Sequence, residues 1–291
     1  MKTYLSFKAK TLRYRLKQFL LSVAAPGAES VIIETEFGPM ACDPLDSHVS
    51  RQLMKWGHYN PKEVANYKEV SNGMDSALII GGHIGSLAIQ LADSFQSILC
   101  LEANPSIYRR LEFNVSLNRL GDILNTRCAA VCERNQPVSF WCSVDNSRGS
   151  KIQPVFQDIN FVYDNPDLIS VPGISLDSEY YDQTFDFILM DIEGSEFNAI
   201  LGGKELLRRC SVFVVEFVPN HLERVANRSI PELSQLLLEL EFDEVYFPRF
   251  GLGGDPKQCL LTTLQAIGYS KSFEDGIVFK MHTAMKSSVT V

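Results

Sequence analysis

Residues 77–104 limit the possible folds of this 291-residue chain more than any other stretch. Ala77 to Ile80 is a short, continuous apolar run, the pattern of a strand buried on both faces of a parallel sheet. Gly81 and Gly82 follow, giving a turn with no Cβ in the way of a ligand that approaches the backbone. From Ile84 the spacing becomes helical, with Ile84, Leu87, Ala88, Leu91 and Ala92 on one face. A second apolar run, Ile98 to Leu101, ends in Glu102. Strand, glycine turn, helix, strand and terminal acid make the first half of a nucleotide-binding unit, in which the turn faces the nucleoside and the acid accepts hydrogen bonds from ribose hydroxyls. The same elements occur in an ordinary βαβ crossover. Glu102 lies about 20 residues past the first glycine, the separation that ribose recognition requires, and this weighs against the plain crossover.

A dinucleotide fingerprint reads G-x-G-x-x-G, whereas this turn reads Gly81-Gly-His-Ile-Gly85. The pyrophosphate cradle is poorly matched. S-adenosylmethionine carries ribose but no phosphate and does not need it. Three segments together resemble the FkbM-type family of class I S-adenosylmethionine-dependent methyltransferases. Leu78-Ile-Ile-Gly-Gly-His-Ile-Gly85 stands where the family has Val-Asp-hydrophobic-Gly-Ala-Asn-Ile-Gly. Glu102-Ala103-Asn104-Pro105 is similar to its Glu-Pro-Asn-Pro, and Phe187-Ile-Leu-Met-Asp191-Ile-Glu193-Gly-Ser-Glu196 to its Phe-Ile-Lys-Ile-Asp-Val-Glu-Gly-x-Glu.

The resemblance implies an α/β, Rossmann-like class I methyltransferase fold with a mostly parallel seven-stranded sheet and helices on both faces. It implies S-adenosylmethionine as cofactor, held by Gly81, Gly82, His83, Gly85, Glu102, Ala103, Ala129 and Asp191, with the adenine edge meeting the third strand at Cys128-Ala-Ala130. It also implies a small-molecule acceptor, a sugar or natural-product hydroxyl. Three positions depart from the family: Ile79 replaces an aspartate, His83 an asparagine and Leu189 a lysine. Ile79 and Leu189 motivate an alternative, a non-catalytic methyltransferase-like binding protein. An NAD(P)-dependent oxidoreductase is a third reading, and it predicts a phosphate-cradling glycine turn that the sequence lacks.

In such sheets ligands bind beyond the carboxyl ends of the strands. Four acids are expected there, namely Glu102, Asp191, Glu193 and Glu216. Asp191 and Glu193 are two apart and point the same way on an extended strand end. A following helix start would equally employ Glu193 and Glu196 as first-turn charge. Methyl transfer to a hydroxyl needs a base, for which Asp191, Glu193, His83 and His221 are the candidates, with Asp191, Glu193 and His221 preferred as catalytic. A carboxylate cluster also suits a divalent metal such as Mg²⁺, and the sequence leaves that open.

A net charge of −8 and a pI near 5.2 argue against general nucleic-acid binding. The seven cysteines include no Cys-x-x-Cys and read as reduced core residues of a cytoplasmic protein. No apolar run reaches the roughly 18 to 20 residues that span a bilayer, so no stable membrane insertion is expected. Residues 1–24 form a basic amphipathic helix candidate, suited to packing on its own domain, on a second subunit in a homodimer, or on a membrane surface. A hairpin over 31–43 and helices over 46–56 and to about Val70 complete an N-terminal extension, residues 1–70, before a cofactor-binding domain over 71–291. His58 and Tyr59, in the loop between these helices, are candidate pocket residues. Residues 143–172 are rich in Asp, Asn, Ser, Gly and Pro, and the family resemblance implies an insertion near the substrate mouth. The plain alternative is a surface excursion, although a loop this long is more often functional than idle.

Overall fold

The computed structural model describes residues 27–143, 146–157 and 166–282, with scattered positions between 16 and 25. The amphipathic helix expected over 1–24 therefore lies mostly outside the described residues. The chain enters through an antiparallel hairpin, β1 (Val31–Thr35) and β2 (Gly38–Cys42), with Val31 opposite Cys42. Helices Val49–Trp56 and Pro61–Val70 follow. Gly57 ends the first in the left-handed conformation at φ 78°, its N–H donating to the Leu53 carbonyl.

The main sheet begins with β3 (Ser76–Ile80), β4 (Ser97–Glu102) and β5 (Leu124–Cys128). A smaller sheet interrupts it, made of β6 (Ala130–Val131), β7 (Gln136–Cys142), β8 (Lys151–Ile152) and β9 (Asp167–Ile174). The main sheet resumes with β10 (Phe187–Met190), β11 (Val212–Phe217), β12 (Glu244–Phe247), β13 (Leu252–Gly254) and β14 (Glu274–Lys280). Its spatial order is β13-β12-β14-β11-β10-β3-β4-β5. The run from β5 to β11 is parallel, and β14 is antiparallel to both β11 and β12. The seven strands expected from the sequence are present. The three-residue β13 makes an eighth at the edge.

The central strands are apolar throughout because each packs on both faces. Along β3, Ala77 and Ile79 enter one core layer, and Leu78 and Ile80 the other. In β10, Phe187 and Leu189 join the first layer, Ile188 and Met190 the second. That first layer also takes Met40, Leu53 and Tyr67, so residues 31–70 share the core of the main domain, with no break in packing at residue 70. Asn114 fastens the connection. Fully buried on helix Pro105–Leu117, its Oδ1 accepts from the Ala41 N–H (2.7 Å), and its Nδ2 donates to the carbonyls of Ala41 (3.1 Å) and Ile84 (2.8 Å). It pairs with strand β2 as a neighbouring strand would, and ties the hairpin to the glycine turn.

Two expectations need correction. The helix expected from Ile84 begins only at Ala88 and runs to Leu91. His83 at φ 49° and Gly85 at φ 88° occupy left-handed conformations, which no α-helix tolerates, so residues 83–87 form a turn. The 143–172 stretch is not a simple surface excursion, because β9 pairs antiparallel along the whole of β7, from Gln136 opposite Gly173 to Cys142 opposite Asp167. Among the described residues, no helix is long and apolar enough to cross a membrane.

Replacing Asn114 by Leu strands the Ala41 amide and two carbonyls. Unfolding in urea should show a loss of about 2–4 kcal/mol. An unchanged midpoint would mean that the hairpin is held by packing alone.

Candidate active site

The N–H groups of Gly81 and Gly82 both donate to the Leu101 carbonyl (2.9 and 2.8 Å), closing the tip of β3 against β4. Glycine is required here for contacts within the protein. A Cβ on Gly81, whose φ is 95°, would strike the Asp191 carbonyl, and one on Gly82 would strike Cys100 Sγ. A Cβ on Gly85 would press on Leu111 at 3.0 Å. The close approach expected of a ligand at these glycines is thus made by neighbouring strands and helices.

Beyond the turn, Glu102 reaches back to it. Its Oε2 accepts from the His83 N–H (2.8 Å) and its Oε1 from the Asn104 N–H (2.7 Å), with the Ala103 amide as a further donor. Burial pushes the Glu102 carboxyl above its ordinary range, and these amides pull it back down. A carboxylate offers about four acceptor positions, so about one is left after three amides.

Glu102 borders an open cavity at the carboxyl ends of the strands. Of the cofactor positions named from the sequence, Gly81, Gly82, His83, Glu102, Ala103, Ala129 and Asp191 line it, and Gly85 does not. Tyr59 lines it and His58 does not. Leu101, Val131, Phe140 and Ile152 supply an apolar wall, three of the four from the small sheet. Ser147, Arg148, Ser150 and Ile152 of the 143–172 stretch line the cavity.

At the opposite end three carboxylates converge, Asp191 and Glu193 just past β10 and Glu216 in β11. Arg148 enters between them from a short turn, Ser147–Gly149. Its Nε donates to Glu193 Oε1 (3.0 Å), and one terminal nitrogen donates to Glu216 Oε1 (3.0 Å) and lies 3.9 Å from Asp191 Oδ2. Burial raises all three carboxyl pKa values and the guanidinium opposes it. Glu193 is pushed up to about 7, while Glu216, which hydrogen-bonds Asp191, is pushed well above the carboxylate range. Nothing periodic in the sequence marks Arg148 or Ser147. The only signal was a lone arginine in a long polar stretch.

The two expected roles of Glu193 and Glu196 separate. Glu196 accepts from the N–H groups of Ile192 (3.0 Å) and Gly194 (3.2 Å) and so holds the turn after β10. Glu193, at φ 55°, is aimed instead at Arg148 and at His221 Nδ1, 3.5 Å from its Oε2. His221 sits behind Glu193 and does not line the cavity, so the catalytic role expected for it is not supported by its position. Burial also drives its pKa down to about 3, which makes it a poor base. Glu193, Glu216 and His221 bring one ligand atom each within 4.8 Å of one another. The guanidinium already binds both acids of that set. The guanidinium is thus the cation beside these acids in this structure, bound through Glu193 Oε1 and Glu216 Oε1, while Glu193 Oε2 faces His221.

The departures at Ile79 and Leu189 become one feature. The two are register partners on adjacent parallel strands, are 1% and 2% exposed, and neither lines the cavity. Two aliphatic side chains pack together here, where a buried ion pair would be no more stabilising.

The family model described as the methyltransferase FkbM domain matches residues 80–244, more than half of the chain and all of these groups except Ile79 and those of the N-terminal extension. The chain belongs to that family. No curated protein matches the sequence. Among solved structures, an FkbM methyltransferase from Methylobacillus flagellatus is 13% identical with a TM-score of 0.42, covering 81% of this chain and 55% of its own. This chain thus spans about half of that protein's length. TYW2 of M. jannaschii, solved with AdoMet, is 13% identical with a TM-score of 0.44, covering 88% of each chain. An O-methyltransferase of Bacillus cereus, solved with SAH, is 15% identical with a TM-score of 0.37, covering 76% of this chain and 80% of its own. Likenesses this distant carry no ligand or substrate over to the FkbM domain described here.

Glu193 and Glu196 both hold their protons up to about 7, against about 4.3 for an ordinary glutamate. Between those values the folded chain binds more protons than the unfolded one, so these groups cost stability as pH rises through that window. His83, depressed to about 4, and His221, depressed to about 3, act oppositely below about 6.5. Glu193→Gln removes one acid from this balance. The variant should gain stability relative to the wild type between about pH 5 and about pH 8 in urea titrations. Parallel pH profiles would place Glu193 in an ordinary environment.

Proposed function

We propose that this FkbM domain is an S-adenosylmethionine-dependent methyltransferase that acts on a hydroxyl of a sugar or small natural product. The observation that carries this reading is the pairing of Glu102 with the apolar wall beside it. A carboxylate with one acceptor position left suits a ribose hydroxyl, and Leu101, Ala129, Val131, Phe140 and Ile152 suit the faces of an adenine. The alternative, a nicotinamide dinucleotide, needs a partner for its pyrophosphate. Among the described residues, the only arginine or lysine lining the cavity is Arg148, already bound to two acids, and the helix after the glycine turn has four residues.

S-adenosylmethionine supplies an electrophilic methyl group when bound, so the protein's task is to align the acceptor oxygen, exclude water and take up a proton. Glu193 is the better placed base, because it lines the cavity and its pKa of about 7 lies near working pH. Asp191, beside it at the strand tip, orients the acceptor by accepting from a neighbouring hydroxyl. Arg148 limits charge repulsion among the acids and, with its turn, covers the acceptor end. The non-catalytic alternative drew on Ile79 and Leu189, and their place in the core takes away that motive.

Calorimetric titration with S-adenosylhomocysteine and with NAD tests the cofactor. Binding of the first and not the second is expected, and the reverse would sink the proposal. Glu102→Gln, which keeps one carbonyl acceptor for the turn, should weaken S-adenosylhomocysteine binding by about 1–2 kcal/mol. Asp191→Asn should fold normally and lower turnover in a screen of glycosylated acceptors. Full activity in that variant would remove Asp191 from the acceptor site.

A further inference from the structure

Ser147 Oγ lies 2.8 Å from Asp46 Oδ1 and 2.8 Å from His83 Nε2, so one hydroxyl bridges the N-terminal extension and the glycine turn. Asp46 is 3% exposed and accepts two further bonds, from the Ser147 N–H (3.2 Å) and the Ser50 N–H (2.7 Å). Three donors on one carboxylate call for its ionised, purely accepting form. The serine hydroxyl has a single proton, which goes to Asp46, and its oxygen is then free only to accept. The bond from His83 must therefore be Nε2–H donating to Ser147, which leaves the lone pair on Nδ1. That nitrogen is buried and has no hydrogen-bond partner among the described residues.

Two further observations mark the imidazole as held for a purpose. Its residue is in the left-handed region at φ 49°, a conformation that costs free energy for any residue with a Cβ and persists where the surroundings enforce it. His83 also lines the cavity, together with Ser147. Burial keeps it neutral, with its pKa lowered to about 4. A neutral ring of fixed tautomer, with its accepting nitrogen unsatisfied, is complementary to a ligand that donates.

We propose that Asp46 and Ser147 are positioning residues that hold His83 as the neutral Nε2–H tautomer, so that Nδ1 accepts a hydrogen bond from a donor group of the ligand in the cavity. The choice of ligand rests on the cofactor reading above, which offers two kinds of donor, the ammonium of the amino-acid arm and the ribose hydroxyls. The relay assigns the N-terminal extension a part in binding, although none of its hairpin lines the cavity.

Selective ¹⁵N-histidine labelling reads ring tautomers directly. The chain has five histidines, and the His83 signals are those lost in His83→Gln. The wild type should show His83 protonated at Nε2 only. Ser147→Ala should give a mixture of tautomers and weaken S-adenosylhomocysteine binding about tenfold. Ser147→Thr keeps the hydroxyl and should restore both, an outcome that a merely structural role for Ser147 does not require. Adenosine, which lacks the amino-acid arm, identifies the donor, since a loss with both ligands assigns the ribose and a loss with S-adenosylhomocysteine alone assigns the ammonium. Nδ1–H in the wild type, or Ser147→Ala with tautomer and affinity unchanged, overturns the proposal. A wild type that binds neither ligand removes the cofactor reading, while a tautomer shift in Ser147→Ala still upholds the positioning role.

Discussion

Three carboxylates at the tips of two neighbouring parallel strands cannot all be ionised in a half-closed site without a counter-charge. Asp191, Glu193 and Glu216 obtain theirs from Arg148, which lies in the connection between β7 and β8 of the smaller sheet. This contact decides much else. It fixes where the Ser147–Gly149 turn lies, and through that turn it sets the rim of the cavity and the position of Ser147 beside His83. It also gives two of the acids a fixed organic cation as partner.

The cofactor end follows a different logic, with backbone amides in place of a side-chain cation. Glu102 is buried against three N–H groups, two of them within the Glu-Ala-Asn segment that resembles the family motif. The acid therefore shapes the glycine turn as well as facing the cavity. The glycines of that turn serve the same end, since their missing side chains let β3 and β10 and the helix Pro105–Leu117 close on one another. A site whose residues also hold the fold together is rigid before any ligand arrives, and preorganisation of this kind lowers the entropy lost on binding.

Much of this was legible in the residues themselves. The central strands announce themselves because a strand buried on both faces has to be apolar at every position, as in Phe187-Ile-Leu-Met190 and Val212 to Val215. The acids at their ends stand out against that background. Local pattern misled where a single backbone angle overrode it. Ile84, Leu87 and Leu91 keep helical spacing, yet left-handed His83 and Gly85 postpone the helix to Ala88. Strand β9 was hidden because half of it faces solvent and it carries Pro172-Gly173, a pair that reads as a turn. Arg148, Ser147 and Asp46 were illegible for another reason. Their partners lie 101 residues away in the case of Asp46 and Ser147 and 64 in the case of Ser147 and His83, and no spacing rule connects such distances.

The aliphatic couple Ile79 and Leu189 has a further consequence. Restoring an aspartate at 79 alone would bury an uncompensated anion, and restoring a lysine at 189 alone an uncompensated cation. Either single step is penalised, while the two together regain mutual neutralisation. Positions 79 and 189 are therefore energetically coupled in this chain, and a charge at one is tolerated only with its opposite at the other.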